Sequence, residues 1–162
     1  MKTFMTRFRH SLRRSARGAH TVELACVLLV FAIVTVLCAD VGILCLANST
    51  NDQACRDACR AAAQGSDYAT SLKFAQAAVK AHAVNSPYMG TPTLDMSEFQ
   101  YNDFGGNPPP DTSPYVRVAT YMTVKVPAPV SFGNAKFYPG NGQTQVRKEY
   151  EFPIVKTQLY LN

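Results

Sequence analysis

The feature that most constrains this chain is a run of sixteen residues without a charged side chain, from Leu24 to Ala39. Asp40 interrupts the run, and a second apolar segment follows from Val41 to Ala47. As a helix, sixteen residues would cover about 24 Å, which is short of the roughly 30 Å hydrocarbon core of a bilayer. The 26 residues from Val22 to Ala47 would cover about 39 Å, and they therefore predict one membrane-spanning helix.

Positive charge is concentrated ahead of this segment. Residues 1–20 hold six of the 16 Lys and Arg residues and none of the 11 acidic residues, so the rest of the chain is close to neutral. This asymmetry predicts that the N-terminus lies in the cytoplasm and that roughly the last 115 residues lie outside. Because the net charge of +5 comes from a short tail and not from a folded basic face, no nucleic-acid partner is expected.

Three other export signals share the form of a basic segment followed by an apolar one, and they remain alternatives. A secretory signal cleaved after Ala39 would have Leu37 where a small residue is expected. A twin-arginine signal at Arg13-Arg14 would be followed by Ser15-Ala16 where apolar residues are usual. A lipoprotein signal needs a Leu-small-small-Cys pattern, which is absent before Cys26, Cys38 and Cys45. Each fits the sequence less well than a retained spanning helix.

Two carboxylates, Glu23 and Asp40, belong to this apolar segment. An acidic side chain at mid-membrane costs about 2.5–3.5 kcal/mol, so each is a candidate functional residue. They are also about 25 Å apart along a helix, which would allow each to lie near one headgroup layer. For Asp40 both the functional and the headgroup interpretation remain open. For Glu23 the surrounding residues favour a functional role.

The chain from Arg13 to Leu24 reads RRSARGAHTVEL: a basic leader, Gly18, four residues, and then Glu23 at the start of the apolar run. This resembles the processing site of type IV prepilins, in which a membrane peptidase cuts after the glycine. The resemblance implies a cut between Gly18 and Ala19. The new ammonium group at Ala19 of one subunit would then pair with the Glu23 carboxylate of another and favour one axial register.

A second resemblance covers residues 13–63. Val22-Glu23-Leu24-Ala25, then Ala39-Asp40-Val41-Gly42, and then the segment NDQACRDACR at residues 51–60 resemble the TadE-like family of pseudopilins and minor pilins. That family belongs to the tight-adherence (Flp, type IVc) pilus system. The chain departs from the family pattern at four positions, with Leu24 in place of phenylalanine, Val30 in place of proline, and Cys55 and Cys59 at small-residue positions.

The resemblance implies a non-catalytic, membrane-anchored component of adhesive pilus assembly in the inner membrane, with its head in the periplasm or outside the cell. Its partners would be the membrane, a prepilin peptidase, other pilins and inner-membrane assembly proteins. Glu23 would be the assembly carboxylate and Asp40 a further contact to partner helices. The alternative function is a single-pass anchored envelope protein with an unprocessed N-terminus and a binding head.

The predicted organisation is a basic leader at residues 1–18, a transmembrane helix at 19–47 and an extracytoplasmic head at 48–162. Good helix formers predict that the long helix continues towards Gly65. Apolar residues at helical spacing predict a second helix over residues 67–84, with Ser66 as its N-cap. Proline and glycine make residues 85–114 irregular, with one short strand around 94–101.

From Tyr115 the period of the pattern changes to two, and one side of a predicted strand carries Val116, Val118, Thr120, Met122, Val124 and Val126. The turn residues Pro139–Gly142 come next, and alternation resumes over 145–161 with a change of phase near Pro153. Two or three antiparallel strands against the outer part of the long helix give an α+β fold.

Arg56 and Arg60 lie one turn apart with Asp52 and Asp57 within reach, which predicts a solvated stripe of ion pairs. Cys55 and Cys59, also one turn apart, are interpreted as small buried residues, with an intersubunit crosslink or a metal site as the minor alternatives. The sequence has no phosphate-binding loop, HExxH motif or serine elbow. Hence no enzymatic activity, cofactor, metal or small-molecule substrate is predicted.

Overall fold

The computed structural model describes residues 2–126, 131–132, 135–136 and 142–154, with side chains from residue 20 onward except in the two short segments 131–132 and 135–136. Internal contacts divide the chain into two compact units, Met1–Ala39 and Asp40–Asn162. We call the first the N-terminal unit and the second the head unit. The head unit therefore begins at Asp40, eight residues before the head predicted at residue 48.

A single helix, α1, runs from Lys2 to Ala62 through both units. The sequence has no proline before Pro87, so nothing interrupts the helical hydrogen bonds until the chain turns at residues 63–65. From His20 to Ala39 every side chain is exposed. Beyond Ala39, α1 buries one stripe against the head unit: Asp40, Ala47, Asn51, Ala54, Cys55, Ala58, Cys59 and Ala62.

The second helix, α2, spans Tyr68–Ala81. Its N-cap is Asp67, whose carboxylate accepts a hydrogen bond from the Thr70 backbone N–H at 3.2 Å. Hydrogen bonding by the side chain and the backbone of Thr70 lowers the pKa of Asp67. The prediction of Ser66 as the N-cap is therefore wrong. The Ser66 hydroxyl instead donates to the Asp67 carboxylate at 3.4 Å, and the N-cap lies one residue later than predicted.

The sheet is built around β3, Tyr115–Lys125, which pairs along its whole length with β6, Gln143–Pro153. Two short strands, β1 at Thr93–Leu94 and β2 at Gln100–Asn102, pair with the opposite edge of β3. All pairings are antiparallel. The single short strand predicted around residues 94–101 is thus two strands separated by a turn. A separate hairpin, β4 at Ser131–Phe132 and β5 at Ala135–Lys136, lies in the β3–β6 connection.

The alternation predicted for β3 is confirmed, because all of its predicted inward residues are buried: Val116, Val118, Thr120, Met122, Val124 and Val126. These side chains face α1. One face of β6 and the buried residues of α2 belong to the same interior: Ser71, Ala75 and Val79. The breaks predicted at Pro127 and Pro129, the first three turn residues 139–141, and the alternation beyond Ile154 lie outside the described residues.

Two groups of side chains form the interior of the head unit. The main core joins the end of α1, α2 and β1–β3 around Cys55, Cys59, Val79, Val116 and Val118. A smaller group, here called the methionine cluster, surrounds Ala47 with Met122 and Val124, and Ile43, Leu44, Met89 and Val146 pack against it. The long apolar helix, the second helix and the small antiparallel sheet confirm the α+β fold class.

Candidate functional site

Four residues were identified from the sequence as candidate site residues: Gly18, Ala19, Glu23 and Asp40. The first three lie on α1 in the N-terminal unit, and the backbone at Gly18 and Ala19 is helical. Glu23 lies one turn beyond them, with 75% of its side chain exposed. Its Oε2 is 3.6 Å from Nδ1 of His20, which is itself 83% exposed. A carboxylate presented in this way is available to a group outside the chain.

Asp40 has the opposite environment. It is 2% exposed, and it is the first residue of the head unit. Neither Oδ1 nor Oδ2 has a hydrogen-bond partner within the described part of the chain. Asp40, Ala47 and Asn51 follow one another at spacings of seven and four, so Asp40 lies on the face of α1 that packs inside the head. The two acids that look alike in the sequence are therefore placed differently by the structure.

Sequence reasoning missed a repeated contact between α1 and the sheet, here called the donor ladder. Its rungs are Asn51, Cys55 and Cys59, one helical turn apart and each fully buried. Each rung contacts one carbonyl of β3 and one of β6. The pairs are Thr120 and Val146 for Asn51 (3.4 and 3.0 Å), Val118 and Lys148 for Cys55 (3.3 and 3.4 Å), and Val116 and Tyr150 for Cys59 (3.5 and 3.3 Å).

The geometry of the ladder follows from two repeat lengths. Four residues of helix advance about 6 Å, and two residues of strand advance about 6.8 Å. Donors spaced by four on α1 therefore meet carbonyls spaced by two on β3. The signal was present in the sequence, since three polar or thiol side chains at i, i+4 and i+8 define one face, but the acceptors are backbone atoms that no sequence pattern identifies.

The two thiols of the ladder are suited to packing and hydrogen bonding, and poorly suited to nucleophilic chemistry. Burial raises the pKa of Cys59 to about 12, and the nearby Cys55 adds to the increase. Burial also raises the pKa of Cys55. Both cysteines are free in the head unit. The interpretation of Cys55 and Cys59 as small buried residues is confirmed, with the addition that their S–H groups have acceptors.

Ion pairs flank the ladder on the exposed side of α1. Arg56 contacts Asp52 at 3.0 Å, and the Tyr150 hydroxyl donates to the same carboxylate at 2.6 Å. Asp57 lies 3.0 Å from Nε2 of His82 at the end of α2 and 3.9 Å from Arg60. The predicted ion pairs of the stripe are confirmed, and they also join α1 to β6 and to α2.

By length and composition, α1 contains a stretch that could cross a membrane, within His20–Ala62, and its most apolar window is entirely exposed. Among the described residues no group of three His, Cys, Asp or Glu side chains is arranged to hold a metal ion. The comparisons add no relative: no protein-family model, no curated protein and no solved structure matches this chain.

Proposed function

We propose that this protein is a non-catalytic pseudopilin or minor pilin of a tight-adherence pilus system, held in the inner membrane by α1 and processed between Gly18 and Ala19. Its N-terminus is cytoplasmic before processing, and its head is periplasmic or extracellular. Its partners are the prepilin peptidase, other pilins and the inner-membrane assembly proteins. The proposal depends on the resemblance of residues 13–63 to the TadE-like family.

The observation that carries the proposal is the difference between two segments of α1, one with exposed apolar side chains and one with buried small side chains. Large apolar side chains between His20 and Ala39 are exposed, for example Phe31 at 68% and Leu29 at 63%. From residue 40 onward the same helix buries small side chains against an antiparallel sheet. The exposed stretch of 20 residues would extend about 30 Å, which matches the hydrocarbon thickness of a bilayer. A helix of this kind supports both a membrane anchor and a packing surface for a folded head.

Glu23 has a defined role in this proposal. After cleavage the ammonium group of Ala19 is one helical turn away on the same chain and equally available to a neighbouring chain. A carboxylate in the low dielectric of lipid strongly favours such a partner, so pairing would reward one axial offset between subunits. The exposure of Glu23, whose Oε2 lies 3.6 Å from Nδ1 of the exposed His20, is consistent with a contact made outside the chain.

The first test is the intact mass of the protein isolated from native membranes. Loss of residues 1–18 supports the proposal, and Gly18→Leu should then leave the full-length chain. A full-length native chain would instead support the alternative of a permanently anchored envelope protein with a binding head. A mature product from Gly18→Leu would show that the cut lies elsewhere.

The second test is Glu23→Ala, which should leave cleavage and membrane insertion intact but block incorporation into the pilus apparatus. Glu23→Gln keeps the shape and removes the charge, so it should fail in the same way. Val27→Ala, one turn away on the same exposed helix, is the matched control and should assemble normally. Normal piliation by the Glu23→Ala protein would refute the assigned role.

A further inference from the structure

Asp40 presents a problem that the fold of the head unit does not solve. Both carboxylate oxygens are buried, and no described group donates a hydrogen bond to either of them. The next side chains on the same face of α1, Ile43 and Leu44, pack against the apolar methionine cluster. Removing a carboxylate from water without a compensating charge or donor is strongly unfavourable. Within the described part of the head, the carboxylate is therefore left without a donor or a counter-charge.

The basic side chains of the described head do not supply the missing charge. The arginines of α1 and the sheet contact other acids: Arg56 pairs with Asp52, Arg60 with Asp57, Arg117 with Glu149 and Glu151, and Arg147 with Glu98. The donor ladder offers only N–H and S–H groups to the sheet, beginning at Asn51, eleven residues beyond Asp40. On this packing face the buried Oδ1 of Asn51 also has no partner, but it is a neutral amide oxygen, whereas Asp40 carries a carboxylate.

We propose that Asp40 is a docking carboxylate for one basic side chain, Lys or Arg, of a neighbouring subunit. The proposal rests on the proposed function for the identity of the neighbour. One carboxylate is the natural counterpart of one ammonium or guanidinium group, and the pair is strong where water is excluded. Asp40 is 2% exposed in the lone chain. Docking therefore requires the first turns of α1 in the head unit to move away from the residues that pack over them.

This assignment changes the part that Asp40 plays relative to Glu23. Glu23 is exposed and can be contacted without rearrangement, whereas Asp40 is reached only after the start of the head opens. The two acids would then act in sequence, with Glu23 selecting the axial register and Asp40 consolidating the docked subunit.

The test compares Asp40→Asn with the wild type in two settings. In the full chain purified in detergent, Asp40→Asn should leave the melting temperature unchanged or raise it by several degrees, because it removes a carboxylate that has no partner. In native membranes, the same variant should reduce the amount of protein in its high-mass complex at least tenfold, because it leaves the basic group of the neighbour unpaired. Asp40→Glu, which keeps the charge, should retain most of the complex.

Asp52→Asn is the matched control on the same helix. Asp52 already has partners, Arg56 and Tyr150, so this variant should lower the melting temperature and leave the complex in place. A lower melting temperature for Asp40→Asn would show that the carboxylate has a partner within its own chain. Dispersal of the wild-type complex by a chelator would indicate a metal ion instead.

A wild-type protein that runs as a single chain in native membranes, or an Asp40→Asn protein that remains fully in the complex, would overturn the proposal. Either result is distinguishable from failure of the proposed function, which is read separately from the mass of the N-terminus. A processed chain whose complex ignores Asp40 would refute only the docking site. An unprocessed chain whose complex depends on Asp40 would keep the site and refute the pilin assignment.

Discussion

Apolar side chains are usually buried and polar ones exposed, but the two parts of α1 on either side of residue 40 show the reverse. Between Leu24 and Ala39 the side chains are uncharged and almost all apolar, and they are exposed. Between Asp40 and Ala62 the buried positions are mostly Ala, Cys and Asn. In water, each exposed Leu, Val or Phe side chain would forgo about 1.5–3 kcal/mol of burial, so the first half favours a lipid or protein environment.

The second half shows what small side chains contribute. Alanine at positions 47, 54, 58 and 62 lets the helix backbone approach the sheet closely enough for the donor ladder to reach the carbonyls of two strands. Apolar burial then comes mainly from the sheet side, through Val116, Val118, Met122 and Val124. The comparison teaches that hydropathy along one helix predicts its surroundings, whereas side-chain size predicts how closely it packs.

The largest expected effect comes from placing charge in the exposed half. Val30→Asp with Val34→Asp adds two carboxylates near the middle of the apolar stretch, at a cost of about 5–7 kcal/mol for insertion into a bilayer. We expect the double variant to be lost from the membrane fraction in flotation experiments. The matched control is Asn48→Asp with Ser49→Asp, at exposed positions of the other half, which should remain with the membrane. Equal flotation of both double variants would break the comparison.

The next effect comes from adding volume to the buried half. Ala58 on α1 is fully buried in the main core, so Ala58→Leu should force the helix away from the sheet and destabilise the head by about 1–3 kcal/mol. Ala32→Leu makes the same change at an exposed position of the first half and should leave the head unaffected. Thermal unfolding of the two full-length variants in the same detergent measures the difference. Similar melting temperatures would contradict the close approach inferred for the ladder.

Much of this fold could be predicted because its signals are local. The period of two in β3 identifies the strand and its buried face together, and no other element competes for those residues. The position of α2 follows from its apolar spacing. Its N-cap is Asp67 and not Ser66, because the Asp67 carboxylate is the side chain that accepts the Thr70 N–H. The short strands β1 and β2 depend on pairing with β3, so their bounds could not be read from residues 93–102 alone.

The candidate site was less predictable, because hydropathy hides helical periodicity where every face is apolar. Asp40 was interpreted together with the spanning segment, although its spacing from Ala47 and Asn51 already places it on the face that the head buries. The role of Glu23 depends on a partner, and no feature of a single chain can supply that partner. The sequence alone could not show that Glu23 is exposed and Asp40 is buried, because the burial of Asp40 arises from the packing of the head unit.

The smallest effect is a pH dependence that only the buried half should show. Because burial raises the pKa of Cys59 from 9.0 to about 12, the neutral thiol is favoured in the folded head. The associated stability is fully present below pH 9 and is lost as the pH rises towards 12. At pH 10 the loss from Cys59 should be about 1.4 kcal/mol, because the unfolded chain ionises and the folded chain does not. Burial raises the pKa of Cys55 as well, so Cys55 changes stability in the same direction.

Replacing both buried thiols separates this effect from the titration of tyrosine and lysine. Cys55→Ala with Cys59→Ala should be less stable than the wild type at pH 7, because the ladder loses two rungs, but its stability should fall less steeply between pH 8 and pH 10. Cys38→Ala with Cys45→Ala, at exposed positions of α1, should keep the wild-type slope. Unfolding measured across this pH range decides the point. If the free energy of unfolding fell equally steeply with pH for the wild type and the Cys55/Cys59 variant, the two thiols would be hydrated in the folded head. The packing of α1 against the sheet would then be looser than the donor ladder requires.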